Sequence, residues 1–319
     1  MRYPCNLPSL QGYQDARGFI KRCKSSVPGG EILSWMKIVP GPEWFEIAER
    51  LERHAGKILL IGASDTGKTS LSRFLVETLV RSGREVCLLD ADIGQSTIGP
   101  PATVSMKFYH EEEDLHCISP DYMSFIGVFN PSKRIRQMLR AIRVLYDIAR
   151  ERPTVRIIVD TTGLVSGRIG FYLKTGKIRL IRPDYVVALQ RAHELEHILS
   201  AVEGSRIIRV PVSPCVKERT RQYRINYRNR RFREYFQDLC IHSLSLHDIP
   251  LVYRDRIYKP AEIFIKDNTV LGLNSEADIT LGLGLFDGIG EGKIFITTPL
   301  ESLKGINRIV VGEIQYIEN

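Results

Sequence analysis

Hydrophobic positions along the first two thirds of the chain follow two alternating spacings. Short apolar runs, typical of buried strands, are separated by segments whose apolar residues recur every three or four positions, as in amphipathic helices. Strands are predicted at 57–61, 85–89, 124–128, 155–159, 185–189 and 206–210. Helices are predicted at 44–53, 70–80 and 132–150. This alternation predicts an α/β fold with a parallel sheet covered by helices on both faces.

The pattern changes after residue 250. Apolar runs at 251–257, 279–286, 293–297 and 308–317 are separated by Gly, Asn and Asp turns without a helix between them. We therefore expect an α/β domain at 49–248 and a small C-terminal β-rich domain at 249–319. Residues 1–48 are interrupted by Gly and Pro and form an appendage of uncertain fold.

A phosphate-binding loop lies between the first predicted strand and the helix that follows it. The sequence from Gly62 to Thr69 fits the pattern G-x-x-x-x-G-K-T in the strand–loop–helix context that this motif requires. Its backbone N–H groups surround phosphate oxygens, Lys68 reaches the outer phosphates, and Thr69 offers a hydroxyl to Mg²⁺. The predicted nucleotide-binding residues are Gly62, Ser64, Asp65, Thr66, Gly67, Lys68, Thr69 and Ser70. The expected ligands are ATP or another nucleoside triphosphate, and Mg²⁺.

Two other predicted strands end in carboxylates. Asp90 and Asp92 follow the second strand, and because strand side chains alternate they are expected to share one face. One would join Thr69 around Mg²⁺ while the other accepts a proton from an attacking hydroxyl. Two solvated turn aspartates are the alternative. The strand at 155–159 leads into Asp160-Thr161-Thr162-Gly163, which is also compatible with an ordinary turn.

Positive charge is concentrated in one segment. The 319 residues carry a net charge of +8, and eight Lys and Arg side chains stand against a single acidic residue between 217 and 233. On a helix, Arg224, Arg228 and Arg231 form one stripe, while Phe232 and the aromatics at 235–236 anchor the other side. We expect a lid at about 215–238 that folds over the triphosphate. A solvated basic helix face is the alternative.

Other features of the sequence limit the class of protein. A composition of 43% hydrophobic and 26% charged residues, without an apolar run of about 18 residues or a secretion signal, predicts a cytosolic protein and no membrane contact. The six scattered cysteines are expected to be free thiols, mostly buried. The segment 193–197 matches the zinc motif H-E-x-x-H, but no third ligand is near it, so a surface helix without zinc is expected. The oligomeric state stays open.

Four separated elements together resemble one family. They are the loop 62–69, the sequence Asp90-Ala91-Asp92-Ile93-Gly94-Gln95, the segment 161–167 and the segment from Arg219 through Tyr235-Phe236. The chain resembles the polynucleotide 5′-hydroxyl kinases related to the RNA cleavage-factor and pre-ribosomal-RNA-processing kinases, in a short prokaryotic-type form. The likeness spans about residues 42–240.

The resemblance implies a P-loop kinase domain and an Mg-dependent enzyme that transfers the γ-phosphate of ATP, or of another NTP, to the 5′-hydroxyl end of RNA or DNA. It assigns Lys68 and Thr69 to the triphosphate and Mg²⁺, and Asp92 to the role of general base. It pairs Arg219 with Arg224 as lid arginines. Further expected contacts are Asp90 and Asp92 with Mg²⁺, and Gln95, Thr161, Thr162, Gly163 and Arg228 with the substrate.

Two departures and one alternative accompany this hypothesis. Leu164 stands where eukaryotic relatives have a clasp tryptophan, so the resemblance does not imply base stacking there, and 48 residues leave no room for the separate N-terminal β domain of larger relatives. The alternative function is an NTPase switch or assembly factor that hydrolyses GTP or ATP. The chain lacks the guanine-reading N-K-x-D element and has Ala63 where partitioning ATPases have a signature lysine.

Overall fold

The computed structural model describes residues 40–247 and 249–317. The helices are α1 (Pro42–Arg53), α2 (Lys68–Arg81), α3 (Ile135–Ala149), α4 (Gly167–Ile181), α5 (Glu196–Leu199) and α6 (Arg221–Tyr235). The first seven strands are β1 (Lys57–Gly62), β2 (Val86–Ala91), β3 (Thr103–Tyr109), β4 (Tyr122–Phe125), β5 (Arg156–Thr161), β6 (Tyr185–Gln190) and β7 (Arg206–Pro211). The remaining strands are β8 (Cys240–Ser245), β9 (Leu251–Tyr253), β10 (Arg256–Tyr258), β11 (Thr269–Asn274), β12 (Thr280–Gly290), β13 (Lys293–Thr298) and β14 (Arg308–Gln315).

The first sheet has the strand order β4-β3-β2-β5-β1-β6-β7. Strands β2, β5, β1, β6 and β7 are parallel, whereas β3 is antiparallel to both of its neighbours. The carboxyl ends of the parallel strands therefore lie along one edge of the sheet, and the loops that follow β1, β2, β5 and β7 meet there. In open α/β sheets this is the edge at which ligands bind.

Helices cover both faces of this sheet. Ile58 and Leu60 of β1 pack with α1 and α2, and their neighbours Leu59 and Ile61 pack with α3 and α4 on the opposite face. Side chains of a strand alternate between faces, so one strand contributes to both cores. The α/β fold with a P-loop-type parallel sheet is confirmed.

The second sheet has the order β10-β9-β14-β11-β12-β13-β8 and is antiparallel except where β14 meets β9. It packs on the β4 side of the first sheet, and the backbone N–H of Phe125 donates to Thr280 Oγ1 at 2.8 Å. One hydrophobic cluster contains residues of both sheets. The expected β-rich C-terminal region is present, and β8 begins before residue 249. The domain boundaries themselves stay predictions.

Several elements differ from the pattern-based expectations. The segment 251–257 is two short strands joined by Arg254 and Asp255, whose positive φ angles of 51° and 60° fit a tight hairpin turn. The helix expected at 132–150 is preceded by a short 3₁₀ turn and begins at Ile135. Strands β3, β8 and β11 and helix α4 had no predicted counterpart.

The cysteines only partly match expectation. Cys87, Cys117, Cys215 and Cys240 are free thiols, but Cys87 alone of these four is buried, so the expectation that most are buried is wrong for this part of the chain. Cys5 and Cys23 lie outside the described residues, as does most of the appendage. Within the described ranges, no helix is both long and apolar enough to cross a membrane.

Candidate active site

A cleft of about 930 Å³ opens at the carboxyl edge of the parallel strands. The loops after β1, β2, β5 and β7 contribute to its wall, together with α6. The predicted site residues that line it are Ser64, Asp65, Thr66, Gly67, Lys68, Thr69, Ser70, Asp92, Gln95, Thr162, Gly163, Arg219, Arg224 and Arg228. Residues separated by more than 150 positions in sequence therefore meet in one cavity.

The phosphate loop is tightly packed. A Cβ atom on Gly62 would lie 2.6 Å from both the Leu189 carbonyl oxygen and Thr66 Oγ1, so only glycine fits at that position. Gly67 has a φ angle of 93°, in the left-handed region. Lys68 Nζ donates to the Ala63 carbonyl oxygen at 2.6 Å. Burial lowers the pKa of Lys68, and Asp160, Asp92 and Asp65 oppose that shift.

Thr69 is paired with a residue that the sequence analysis did not assign to the site. Its hydroxyl donates to Asp160 Oδ2 at 2.7 Å, across 91 residues of sequence. Because the hydroxyl hydrogen is directed at the carboxylate, the lone pairs of the Thr69 oxygen remain for a cation. Asp160 is buried, which raises its pKa, while Lys68 and the hydrogen bond from Thr69 lower it.

Asp90 and Asp92 lie in different environments. Asp90 is buried, does not line the cleft, and accepts hydrogen bonds from the Asp92 and Thr97 backbones and from the hydroxyls of Ser96 and Thr97. Burial, followed by the nearby Asp160 carboxylate, raises the pKa of Asp90 to about 7. Asp92 stands just beyond β2 in the cleft wall, and its Oδ1 accepts from the Gly94 and Gln95 backbone N–H groups at 3.0 and 3.2 Å.

The segment from Thr161 to Gly163 is held from behind. Lys174 Nζ, fully buried on α4, donates to Thr161 Oγ1 at 2.7 Å and to the Thr162 carbonyl oxygen. A Cβ on Gly163 would lie 2.5 Å from the Ser64 backbone nitrogen, so this glycine lets β5 approach the phosphate loop. Thr161 faces Leu60 and does not line the cleft, whereas Thr162 and Gly163 do.

The lid arginines contact the phosphate loop and the loop after β2. Asp65 Oδ2 accepts from the Arg219 backbone N–H at 3.1 Å and from Arg224 Nη2 at 2.6 Å. Arg219 Nη1 donates to Gln95 Oε1 at 2.7 Å. Arg228 lies over the ring of Phe129, and burial together with Arg224 lowers its pKa. Arg219, Arg224 and Arg228 therefore contact residues of the cleft wall, while Lys217, Arg221, Arg230 and Arg233 of the same segment are exposed.

Other side chains of α6, among them Arg231 of the predicted stripe, contact backbone outside the cleft wall, so the stripe that faces the cleft is shorter than expected. The Tyr227 hydroxyl donates to the Ser96 carbonyl oxygen at 2.8 Å, and Arg231 Nη2 donates to that of Gly99 at 3.0 Å. Phe232 and Phe236 are buried in a cluster with residues of β11 and β12, as expected from their spacing. The Leu283 backbone N–H donates to the Tyr235 hydroxyl at 2.8 Å. The lid helix thus connects the phosphate loop with the second sheet.

The segment that matches H-E-x-x-H has a different arrangement from a zinc site. His197 Nε2 donates to the Val165 carbonyl oxygen at 3.0 Å, and Glu196 forms a salt bridge with Arg209. Only 196–199 are helical, so the expected surface helix is one short turn and His193 precedes it. No cluster of three metal-ligating side chains occurs within 40–247 or 249–317.

A family model described as mRNA cleavage and polyadenylation factor CLP1 P-loop matches residues 62–238, more than half of the chain. The chain belongs to this family. The resemblance inferred from the four motifs is thereby confirmed.

Relatives agree with this membership, and a solved structure shares the fold. A polyribonucleotide 5′-hydroxyl-kinase of Methanocaldococcus jannaschii is 30% identical over 82% of this chain and 88% of its own length. One from Pyrococcus abyssi is 28% identical over 85% of this chain and 91% of its own. The solved complex of Clp1p with Pcf11p has a TM-score of 0.69 at 15% identity, covering 87% of this chain and 80% of that one, which shows a shared fold.

Sequence reasoning missed part of this CLP1-type site. Asp160, Lys174, Tyr227 and Phe129 bond or pack around it without having been assigned to it. Asp160 had a detectable signal, since it ends a predicted strand beside the one that precedes the phosphate loop. Lys174 had no detectable signal, because a polar residue in a helix normally indicates a solvated face.

Proposed function

We propose that this protein transfers the γ-phosphate of ATP, or of another NTP, to the 5′-hydroxyl of a polynucleotide. The observation that supports this most strongly is the shared cleft. A phosphate loop, the carboxylate of Asp92 and the guanidinium groups of Arg219 and Arg224 all line it. The names of the archaeal relatives specify polyribonucleotides, so RNA ends are the first substrate to test.

In this proposal the phosphate loop and Lys68 bind the triphosphate. Phosphoryl transfer asks for little covalent chemistry from the protein, which must align the reacting groups and supply positive charge. Backbone N–H groups around 62–67 and the N-terminus of α2 favour anions. Lys68, at the first position of α2, adds an ammonium donor at the same place.

Asp92 is proposed as the general base for the 5′-hydroxyl. Two backbone N–H groups already hold its Oδ1, so the carboxylate orientation is fixed before substrate arrives. Gln95, bonded to Arg219, connects this loop to the lid, which supports a role for Gln95 in positioning substrate. Abstraction of the hydroxyl proton by a positioned carboxylate contributes about 10²- to 10⁴-fold to such reactions.

The oxygen-rich side of the cleft fits Mg²⁺. Thr69 and Asp92 offer the hard oxygen ligands that this ion prefers, and Asp160 orients the Thr69 hydroxyl. When bound, Mg²⁺ would neutralise charge on the phosphate oxygens. Asp90, enclosed by four donors, is better placed to hold the 92–97 loop than to contact a metal, so we revise its proposed role to a positioning one.

The segment 161–167, which resembles the clasp of the family, is proposed to contact the polynucleotide end. Thr162 lines the cleft, and its Oγ1 is buried with no hydrogen-bond partner among the described residues. Buried hydroxyls are normally paired. A hydroxyl or phosphate oxygen of the terminal nucleotide would satisfy it, while Lys174 keeps the segment in place from behind.

A label-transfer assay tests this function. The protein is incubated with γ-labelled ATP and either a 5′-hydroxyl or a 5′-phosphate oligoribonucleotide of the same sequence. We expect label on the 5′-hydroxyl strand alone. Release of free labelled phosphate without labelled RNA would contradict the kinase and support the NTPase switch. DNA and GTP in parallel reactions then define strand and nucleotide preference.

A further inference from the structure

A patch of exposed side chains lies beside the mouth of the cleft. It consists of Arg136 on α3 and Arg168, Ile169 and Tyr172 on α4, and we call it the rim patch. Tyr172 is 63% exposed and Ile169 46% exposed. Scattered exposed apolar residues are normal, but Ile169 and Tyr172 are three residues apart on a helix and therefore share one face.

Sheet topology puts the rim patch near the part of the cleft that Leu164 and Pro131 line. Helix α4 begins three residues after Leu164, and α3 begins four residues after Pro131; both Leu164 and Pro131 line the cleft. Each helix follows a strand that runs towards the same edge of the sheet, so both N-termini lie at that edge. Tyr172 stands in the second turn of α4, within about 8 Å of its start along the axis.

Close packing of α3 against α4 brings the two halves of the patch together. A Cβ on Gly176 would lie 3.0 Å from Leu139 Cδ1, which marks the contact between the helices. Tyr172 and Arg136 each lie about one helical turn closer to the cleft than this contact. The Tyr172 ring is held edge to face against Phe171, with ring centroids 6.0 Å apart.

Charge distribution distinguishes this end of α3 from the rest. Arg140 pairs with Asp255, and Arg143 and Arg150 both pair with Asp147. Arg136 and Arg168 form no ion pair with any residue in the described ranges, so on α3 the arginine at the end nearest the cleft is the one left uncompensated.

We propose that the rim patch binds the single-stranded polynucleotide chain that follows the 5′-terminal nucleotide. The inference rests on the proposed function and extends it from the reacting end to the strand behind it. Single strands are bound by cations that contact the backbone and by aromatic faces on which bases stack, whatever the base. The rim patch supplies cations and an aromatic ring. The clasp itself has Leu164 in place of an aromatic residue.

Substrate length provides the test. We expect Tyr172→Ala to raise KM for a 5′-hydroxyl RNA of about twelve nucleotides by roughly tenfold, the loss of one base stack. KM for a 5′-hydroxyl dinucleotide should change less than about twofold, because its chain ends before the patch. Tyr172→Phe keeps the stacking ring and should behave like the wild type. Phe264→Ala, which removes another exposed aromatic (86% exposed), is the matched control.

Binding measured without turnover separates this proposal from the kinase assignment. A fluorescent 5′-phosphate RNA of about twelve nucleotides should bind Tyr172→Ala roughly tenfold more weakly than the wild type. Replacing Arg136 and Arg168 by Gln should reduce the slope of log affinity against log salt by about 0.7 for each backbone phosphate that the protein no longer neutralises. Arg256→Gln, an exposed change on β10, should leave the slope unchanged.

Two results would overturn the proposal: equal KM effects on the dinucleotide and the longer RNA, or unchanged affinity of Tyr172→Ala for the 5′-phosphate RNA. If the wild type labels neither acceptor, the kinase assignment fails, and the binding measurement alone then decides whether the patch holds RNA. If RNA affinity still depended on Tyr172, the rim-patch proposal would be supported although the kinase assignment had failed.

Discussion

The edge of the parallel sheet and the lid helix place functional groups by different means. At the sheet edge, Asp92 and Thr69 directly adjoin well-packed strand and helix backbone, and register sets their positions. On α6, only Phe232 within the helix is buried, and side-chain bonds from Arg224, Tyr227 and Tyr235 hold the helix in place. Substitutions elsewhere should therefore leave Asp92 and Thr69 in position. Loss of a side-chain hydrogen bond outside the cleft, in contrast, should shift the lid helix.

The largest effect is expected at the sheet edge. Asp92→Asn removes the proposed proton acceptor and keeps the shape of the side chain, so kcat should fall about 10²- to 10⁴-fold. Nucleotide affinity, measured by titration calorimetry without Mg²⁺ so that the proposed metal role of Asp92 does not enter, should change little because the phosphate loop is intact. Glu276→Gln, an exposed change in the C-terminal region, is the control. Near-normal turnover by Asp92→Asn would show that the base assignment is wrong.

The next effect concerns the lid. Arg224→Ala removes a guanidinium group from the cleft and its ion pair with Asp65, and we expect kcat to fall about 10²- to 10³-fold. Arg230→Ala changes an exposed arginine of the same helix, paired with Glu234, and should retain activity within about twofold. Equal losses in both variants would mean that α6 acts only through its overall charge.

A buried cation beneath the sheet edge should respond to pH. Lys177 is fully buried, its Nζ has no hydrogen-bond partner among the described residues, and burial lowers its pKa from 10.5 to about 8. Between pH 8 and 10.5 the unfolded chain binds more protons at Lys177 than the folded chain does, so the unfolding free energy rises with pH. This pH-dependent contribution to stability is lost as the pH falls from 10.5 through 8. From pH 8 to 10.5 the wild type should gain up to about 3 kcal/mol relative to Lys177→Met.

Chemical denaturation at a series of pH values measures this difference. Lys217→Met, which changes an exposed lysine at the start of the lid region, should show no pH-dependent gap from the wild type. A constant difference between Lys177→Met and the wild type over the same range would indicate that Lys177 is not desolvated.

The smallest effect tests the remote anchor of the lid. Tyr235→Phe leaves the Leu283 N–H without its acceptor, which should cost about 1–2 kcal/mol of unfolding free energy and lower kcat/KM a few-fold by loosening α6. Tyr258→Phe on the opposite edge strand of the second sheet is the control. If Tyr235→Phe lowered the unfolding free energy but left kcat/KM unchanged, the Tyr235–Leu283 hydrogen bond would stabilise the fold without positioning the lid helix.

Prediction succeeded where a local pattern carries its own physical reason. The apolar runs around β1, β2, β5 and β6 and the glycines of the phosphate loop identify a parallel sheet with a triphosphate site. Helix α4 escaped prediction because three glycines and the inward-facing Lys174 and Lys177 disguise its buried face. Strand β3 was missed although Thr103, Ser105 and Lys107 alternate with its apolar residues, a pattern typical of a half-buried strand, and the structure buries both of its faces.

The phosphate loop, the carboxylates at the end of β2 and the arginine-rich segment are recognisable from the residues alone, since each depends on residues close together in the chain. The hydrogen bond between Asp160 and Thr69, the enclosure of Asp90 while Asp92 faces the cleft, and the contact of Asp65 with the lid follow from the folded chain. Most of these contacts join residues far apart in sequence. Differences in burial and hydrogen bonding give each of these similar carboxylates a different role.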